Sequence, residues 1–245
     1  MGRKMLLQAL TGSHNYNLAT EGSDKDYKVF TAPTFDDLYT GNRYKKNIIT
    51  ELVDQDIKDI RQLPELLWKS NIAYMEILFS HDIVTTTHKL HYLLGVRDEI
   101  ARINLPQLFK STGGMHNERL KRLEKPTDGT QHLVDKYGYN TKEAMHDFRS
   151  MKLLVDFEAT GFTGYEEALR YEDYERQAIL DIKNGIFTKD EFLQFTTNYH
   201  DKVFAPLKEK YCSQKPNEEL KAYMDDIVKD VVEDELGLEL LMGTN

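Results

Sequence analysis

The sequence predicts an α+β protein. A small mixed sheet with helices should occupy residues 1–105, and a helical domain that closes a cleft should follow over residues 106–245. Three observations carry this. Short apolar runs bounded by Gly, Ser and Pro are confined to the N-terminal part of the chain, as buried strands require. Beyond them, apolar residues recur at helical spacing, with N-caps in front and glycines behind. No run approaches the ~20 apolar residues of a membrane helix.

Lys4 to Leu10 is apolar-rich and runs into Thr11-Gly12-Ser13, which reads as a buried strand ending in a tight turn. Asn15 to Leu18 suits one helical turn, and Glu21-Gly22-Ser23 marks another bend. A second strand is expected over Lys25 to Thr31, stopped by Pro33. Ile48 to Ile57 reads as a third strand, with Leu52, Asp54 and Asp56 on one face by the two-residue period.

From there no strand pattern is visible. Leu63 to Ser70, Ala73 to Phe79 and His88 to Ile103 read as helices, and Pro106 opens another that runs to about Lys125. Pro126 to Gly138, with its Pro, Gly, Asp128 and Thr residues, reads as a loop. Asn140, with Glu143 three residues on, caps the next helix, and Gly161 ends it. Thr188 and Glu191 repeat the capping pattern before a helix that Pro206 should kink or end. In Leu220 to Leu241, the residues Leu220, Tyr223, Met224, Ile227, Val228 and Val231 share one face, leaving an acidic face to solvent.

Composition narrows the function. With 32 basic and 41 acidic residues the net charge is −9, which argues against a bulk electrostatic nucleic-acid binder but leaves room for a local basic groove. Cys212 is the single cysteine, so an internal disulfide or a cysteine-rich zinc site is excluded. Met1 to Leu10 lacks the apolar core and cleavage site of a signal peptide. A soluble cytoplasmic protein without membrane contact is expected.

The chemistry concentrates in the segment from Gly12 to Tyr27. Gly12 lets the backbone approach a phosphate, Ser13 adds a hydroxyl, and amides at the following turn, around Asn15, favour an anion. Asp24 and Asp26 are two apart, so both carboxylates point to one side of a strand. Such a pair can hold two hard divalent cations roughly 3.5–4 Å apart.

Gly-Ser, ten intervening residues and then Asp-x-Asp resembles the signature of the polymerase-β nucleotidyltransferase superfamily. More closely, the chain resembles a family of nucleotidyltransferases named for an RNA-repair-pathway, polymerase-β-like protein. The matching stretches are Gly12 to Tyr27, then Asn71 with Glu76 and Leu78, then Gly138-Tyr139-Asn140-Thr141-Lys142 with His146, Arg149 and Thr160-Gly161, and last Ile182-Lys183-Asn184-Gly185. The resemblance spans residues 4 to about 195. It implies a polymerase-β-type nucleotidyltransferase core, two Mg²⁺ ions (or Mn²⁺), and transfer of a nucleoside monophosphate from a nucleoside triphosphate to an acceptor hydroxyl. That acceptor would be an RNA end, a protein side chain or a small molecule. It also implies a third carboxylate on a neighbouring strand, with Asp54 the first choice and Asp56 the alternate.

Gly12, Ser13, Asn15, Lys142, His146 and Arg149 are the expected nucleotide contacts. The last three are spaced i, i+4, i+7 and so form one stripe on their helix. Departures from the family pattern are Lys25 between the two aspartates, Asn17 in place of a glycine, and Ile72 after Asn71 in place of proline. A binding protein that keeps the nucleotide pocket without turnover is the alternative, kept open by Lys25. The basic residues Lys110, Arg119, Lys121, Arg122 and Lys125 offer either a groove for an RNA acceptor or an ordinary solvated face.

Overall fold

A computed structural model of the chain describes residues 3–127 and 129–242, the last four for the backbone alone. Met1, Gly2, Asp128, which the sequence places in an expected loop, and residues 243–245 lie outside the described residues. The chain divides into two compact units, one of Met1–Asn104 with Pro216–Asn245, the other of Leu105–Lys215.

The first unit is built on five strands, β1 (Met5–Thr11), β2 (Lys25–Thr31), β3 (Lys45–Ile49), β4 (Val53–Asp59) and β5 (Ile83–Thr85), in the order β3-β4-β2-β1-β5. Only β2 and β4 run parallel; every other neighbour is antiparallel. The sheet is mixed, as expected, but the single strand read over Ile48 to Ile57 is a hairpin. Thr50 makes the turn: its hydroxyl donates to the Val53 carbonyl at 2.7 Å and accepts the Val53 amide at 3.0 Å. Such a side chain closes the backbone on itself and interrupts a ladder. Leu52 is therefore 77% exposed at the bend and shares no face with Asp54 and Asp56. β5 is an added strand, too short for periodicity to reveal.

Between β2 and β3 the helix Phe35–Tyr39 is fixed by a capping box of Thr34 and Asp37. The buried Asp37 carboxylate also accepts from Asn42 Nδ2 at 2.7 Å and pairs with Arg3, whose guanidinium lies 4.3 Å from the Tyr44 ring centroid. Burial pushes this carboxyl up, but the Thr34, Asn42 and Arg3 hydrogen bonds outweigh it and hold the group far below the usual range. Its charge therefore stabilises the fold above the unfolded carboxylate pKa of about 3.9, and that contribution is lost as pH falls through the depressed folded value. Asp37→Ala should cost about 2–3 kcal/mol by loss of the cap and of charge-assisted bonds. Denaturant unfolding at pH 7 and pH 3 checks this, with the difference between wild type and variant narrowing at the lower pH.

The chain returns to this first unit at its C-terminal side. Met224, Ile227, Val228 and Val231 of the helix Glu218–Met242 are buried, and the helix packs on Leu90–Gly95 and Leu63–Trp68. Lys4 bonds Glu235 at 2.7 Å, Lys89 bonds Asp234 at 2.8 Å, and Lys221 lies over the Trp68 ring. The sequence assigns 106–245 to one helical domain; residues from Pro216 onward belong with the sheet instead.

Among its described residues the second unit consists of helices joined by turns, with no strand. The helix Thr141–Ala159 is capped by the Asn140 side chain on the Glu143 amide, and Gly161 follows it at φ 63°. It packs against Leu105–Arg122 and Asp173–Lys183 and buries Ala144, Met151, Leu154 and Phe157. A short helix, Gln131–Tyr137, lies within the segment expected to be loop. The helix Lys189–Tyr199, opened by the expected Thr188–Glu191 capping box, passes through a π turn before Pro206 rather than running into it. Buried Asp147 accepts from Thr196 at 2.8 Å and pairs with His116 at 2.8 Å.

Candidate metal centre

Parallel pairing of β2 with β4 sets Asp26 beside Asp54, and Asp24 lies just before β2. Asp24, Asp26 and Asp54 are half-buried, and each offers a carboxylate oxygen such that all three lie within 4.8 Å of one another. Three hard anionic oxygens converging so closely repel one another, and a divalent cation is the natural counter-charge. The donor set fits Mg²⁺ or Mn²⁺, both of which prefer carboxylate oxygens.

The hairpin turn aims Asp54, whose Oδ1 accepts the Thr50 amide at 3.2 Å. On the other side, the Thr11 hydroxyl donates to the Asp26 carbonyl at 3.2 Å. Lys25, between the two aspartates, is exposed on the opposite side of the strand, as alternation requires.

Asp56 has a different task. Lys28 and Lys58 each approach it at 3.0 Å, and the Tyr74 hydroxyl donates to it at 2.7 Å. Burial pushes the Asp56 carboxyl up, but the Tyr74 hydroxyl and the two lysines bring it below the ordinary value. Its oxygens serve these partners, and it stands outside the carboxylate cluster.

Gly12 adopts φ +72°, and a Cβ there would sit 2.3 Å from Asp26 Oδ2. The sequence ascribes this glycine to a close phosphate; the structure shows that the missing side chain makes room for the Asp26 carboxylate. The Gly12 amide donates to Glu76 Oε2 at 3.2 Å. Glu76 is 2% exposed. In the sequence it stands only as one member of the Asn71 to Leu78 block and carries no role of its own, although it fastens the turn that flanks the clustered carboxylates.

Asn15, expected to touch nucleotide, is 1% exposed, and its Oδ1 accepts the His81 amide at 3.3 Å. It ties the Gly12–Asn15 turn to the segment before β5. Ser13, half-buried in the same turn, lends its carbonyl to the Leu18 amide. Two of the residues expected to break local geometry are accommodated without strain. Asn17 takes the left-handed φ of 62° that a glycine would take, which asparagine tolerates. Asn71 caps the helix Ile72–Met75 through the Ala73 amide at 3.0 Å, so the helix starts without proline.

Lys142, His146 and Arg149 belong to the second unit. Their shared stripe runs from exposed Lys142 through half-buried His146 to Arg149, which is only 4% exposed. The uniformly accessible face that the spacing suggests is absent, because neighbouring helices cover the later turns. Burial first, and then the charges of Arg149, Arg119, Lys142 and Lys183, push the His146 imidazole well below its usual pKa, so it is neutral at pH 7. Of the basic run nearby, Arg119 pairs with Glu143 at 2.9 Å and Lys121 with Glu118 at 2.8 Å.

Among the described residues, no helix is long and apolar enough to cross a membrane. No protein-family model matches the sequence, and no curated protein does. One solved structure, a nucleotidyltransferase-like protein from Exiguobacterium sibiricum 255-15, is 15% identical over 95% of this chain and 87% of its own, with a TM-score of 0.30. So distant a likeness carries no weight beside the geometry of the carboxylates.

Proposed function

We propose that the chain is a metal-dependent nucleotidyltransferase of the polymerase-β type, moving a nucleoside monophosphate from a nucleoside triphosphate to an acceptor hydroxyl. The observation that carries the reading is the meeting of Asp24, Asp26 and Asp54 within 4.8 Å at the foot of the Gly12 turn. In the reaction the acceptor hydroxyl loses its proton to solvent as its oxygen bonds to the α-phosphorus, the bond from the α-phosphorus to the oxygen bridging to the β-phosphate breaks, and pyrophosphate leaves. Two Mg²⁺ ions, or Mn²⁺, supply charge neutralisation when bound. The three aspartates would hold them, and the Ser13 hydroxyl would be the donor nearest in sequence for a triphosphate oxygen. A cytoplasmic setting, rich in nucleoside triphosphates, suits this chemistry.

One observation favours a second reading, a regulatory protein that binds nucleotide without turnover: the Gly12 amide is already engaged by Glu76. Incubation with each labelled nucleoside triphosphate, Mg²⁺ and cellular RNA or protein separates the two. Transfer of label with release of pyrophosphate is expected. Nucleotide binding without transfer would turn the assignment to the regulatory reading, and neither binding nor transfer would end both.

A further inference from the structure

Asp26 and Asp54 occupy one end of an open trough of about 330 Å³ across β1, β2, β4 and β3, and Lys28 and Lys58 flank Asp56 at its other end. Register arranges that face in rows. Asp26 and Asp54 pair with each other, and Ile49 lies opposite Asp54. Two residues further along the strands, Lys28, Asp56 and Asn47 are neighbours. Beyond them Lys58 lies beside Lys45 on the edge strand β3. Successive rows on one face are about 6.7 Å apart.

This cationic end is built, not loosely decorated. Lys28 and Lys58 are each about one-fifth exposed, share Asp56 at 3.0 Å, and lie over the Tyr74 ring at 5.0 and 5.6 Å. One aspartate thus faces two lysines, and exposed Lys45 adds a third positive charge. Each ammonium has three donors, and the pairing with Asp56 spends one of them. A surplus of fixed cations beside a site for two divalent ions suits an anion bridging towards the reacting centre. On a chain of net charge −9, that surplus is local and specific. The basic run of the second unit offers less, since Arg119 and Lys121 each have a glutamate partner.

We propose that Lys28, Lys45 and Lys58 form the acceptor subsite and select an acceptor that carries a phosphate ester one to two strand rows from its reactive hydroxyl. Asp56 and Tyr74 are positioning residues, holding two of the lysines in the trough. The inference rests on the nucleotidyltransferase reading and narrows it, since an unphosphorylated protein side chain or neutral small molecule would leave these charges unanswered. The phosphate can belong to a polynucleotide backbone or to a small phosphorylated acceptor.

Two probes distinguish these sources, both used on the full chain in EDTA, so that metal binding plays no part. A labelled single-stranded oligoribonucleotide is followed by anisotropy across a salt series, and ribose 5-phosphate by calorimetry. For a backbone, Lys45→Gln should flatten the slope of log K against log salt by about 0.7, and Lys28→Gln with Lys58→Gln by about 1.4. For a small acceptor, the double variant should lower ribose 5-phosphate affinity at least tenfold while the oligonucleotide fails to bind. Because the double variant strips Asp56 of its counter-charges, Lys28→Arg with Lys58→Arg is the companion and should retain binding and melting temperature. Lys45→Gln leaves the Asp56 cluster intact in any case. Failure of both probes to bind the wild type, or affinities and slopes unchanged in all glutamine variants, overturns the subsite. Mn²⁺ calorimetry on the same wild-type protein reports separately on the carboxylates, so loss of one reading is not mistaken for loss of the other.

Discussion

Asp26→Asn should abolish nucleotidyl transfer, by about a thousandfold or more, while the protein remains folded and melts no lower than the wild type. Pre-placed charge that stabilises a transition state is worth about 10²–10³ per group, and a carboxylate that would hold a divalent cation supplies such charge through it. Stability should hold or rise because three carboxylates within 4.8 Å repel one another without a cation. Asp24→Asn and Asp54→Asn should behave alike, with Mn²⁺ binding lost or weakened in each. Asp56→Asn should do the reverse: Mn²⁺ binding stays and stability falls, because Lys28, Lys58 and Tyr74 lose their common acceptor. Near wild-type turnover in Asp26→Asn would sink the mechanism. Loss of Mn²⁺ binding with intact folding in Asp56→Asn would mean that the third ligand has been misassigned.

Gly12→Ala should be nearly as damaging, for a reason that can be isolated. At φ +72° any side chain costs roughly 1–2 kcal/mol. In addition the new Cβ would lie 2.3 Å from Asp26 Oδ2 and 3.1 Å from its Cγ, so the carboxylate must swing away. Gly22 provides the matched comparison, with φ +80° and no heavy atom within 4 Å of where an alanine methyl would stand. Both alanine variants should lose similar stability in denaturant unfolding, yet only Gly12→Ala should lose Mn²⁺ affinity and at least a hundredfold in transfer. Equal transfer rates in the two variants would show that Asp26 does not depend on that space.

The first two strands and the Asp24–Asp26 pair were legible because they rest on local rules, namely apolar runs, turn residues and alternation. The choice between Asp54 and Asp56 was not. Both lie on one face of β4, and a period of two cannot rank them. What separates them is the partner strand, which sets Asp26 against Asp54, and the lysines that engage Asp56. Thr50 hid the hairpin because its turn depends on a side-chain hydrogen bond rather than on glycine or proline. Likewise the burial of Asn15 and Arg149 follows from what packs over them, which helical spacing does not specify. Glu76 carried a signal only as part of a motif. Nothing local announces that a glutamate will be enclosed and will fasten a glycine 64 residues away.

The return of Glu218–Met242 to the sheet unit has a consequence for the order of biosynthesis. Residues 105–215 separate that helix from the strands it joins. At roughly 5–20 residues per second, a ribosome needs about 6–22 s to cover that stretch. Through that interval the apolar seats of Met224, Ile227, Val228 and Val231 are made but uncovered, while every residue of the intervening helical unit becomes available to fold first. The newborn sheet unit thus passes through a stage with exposed apolar surface, and it acquires its final cover only after the intervening helical unit has been synthesised.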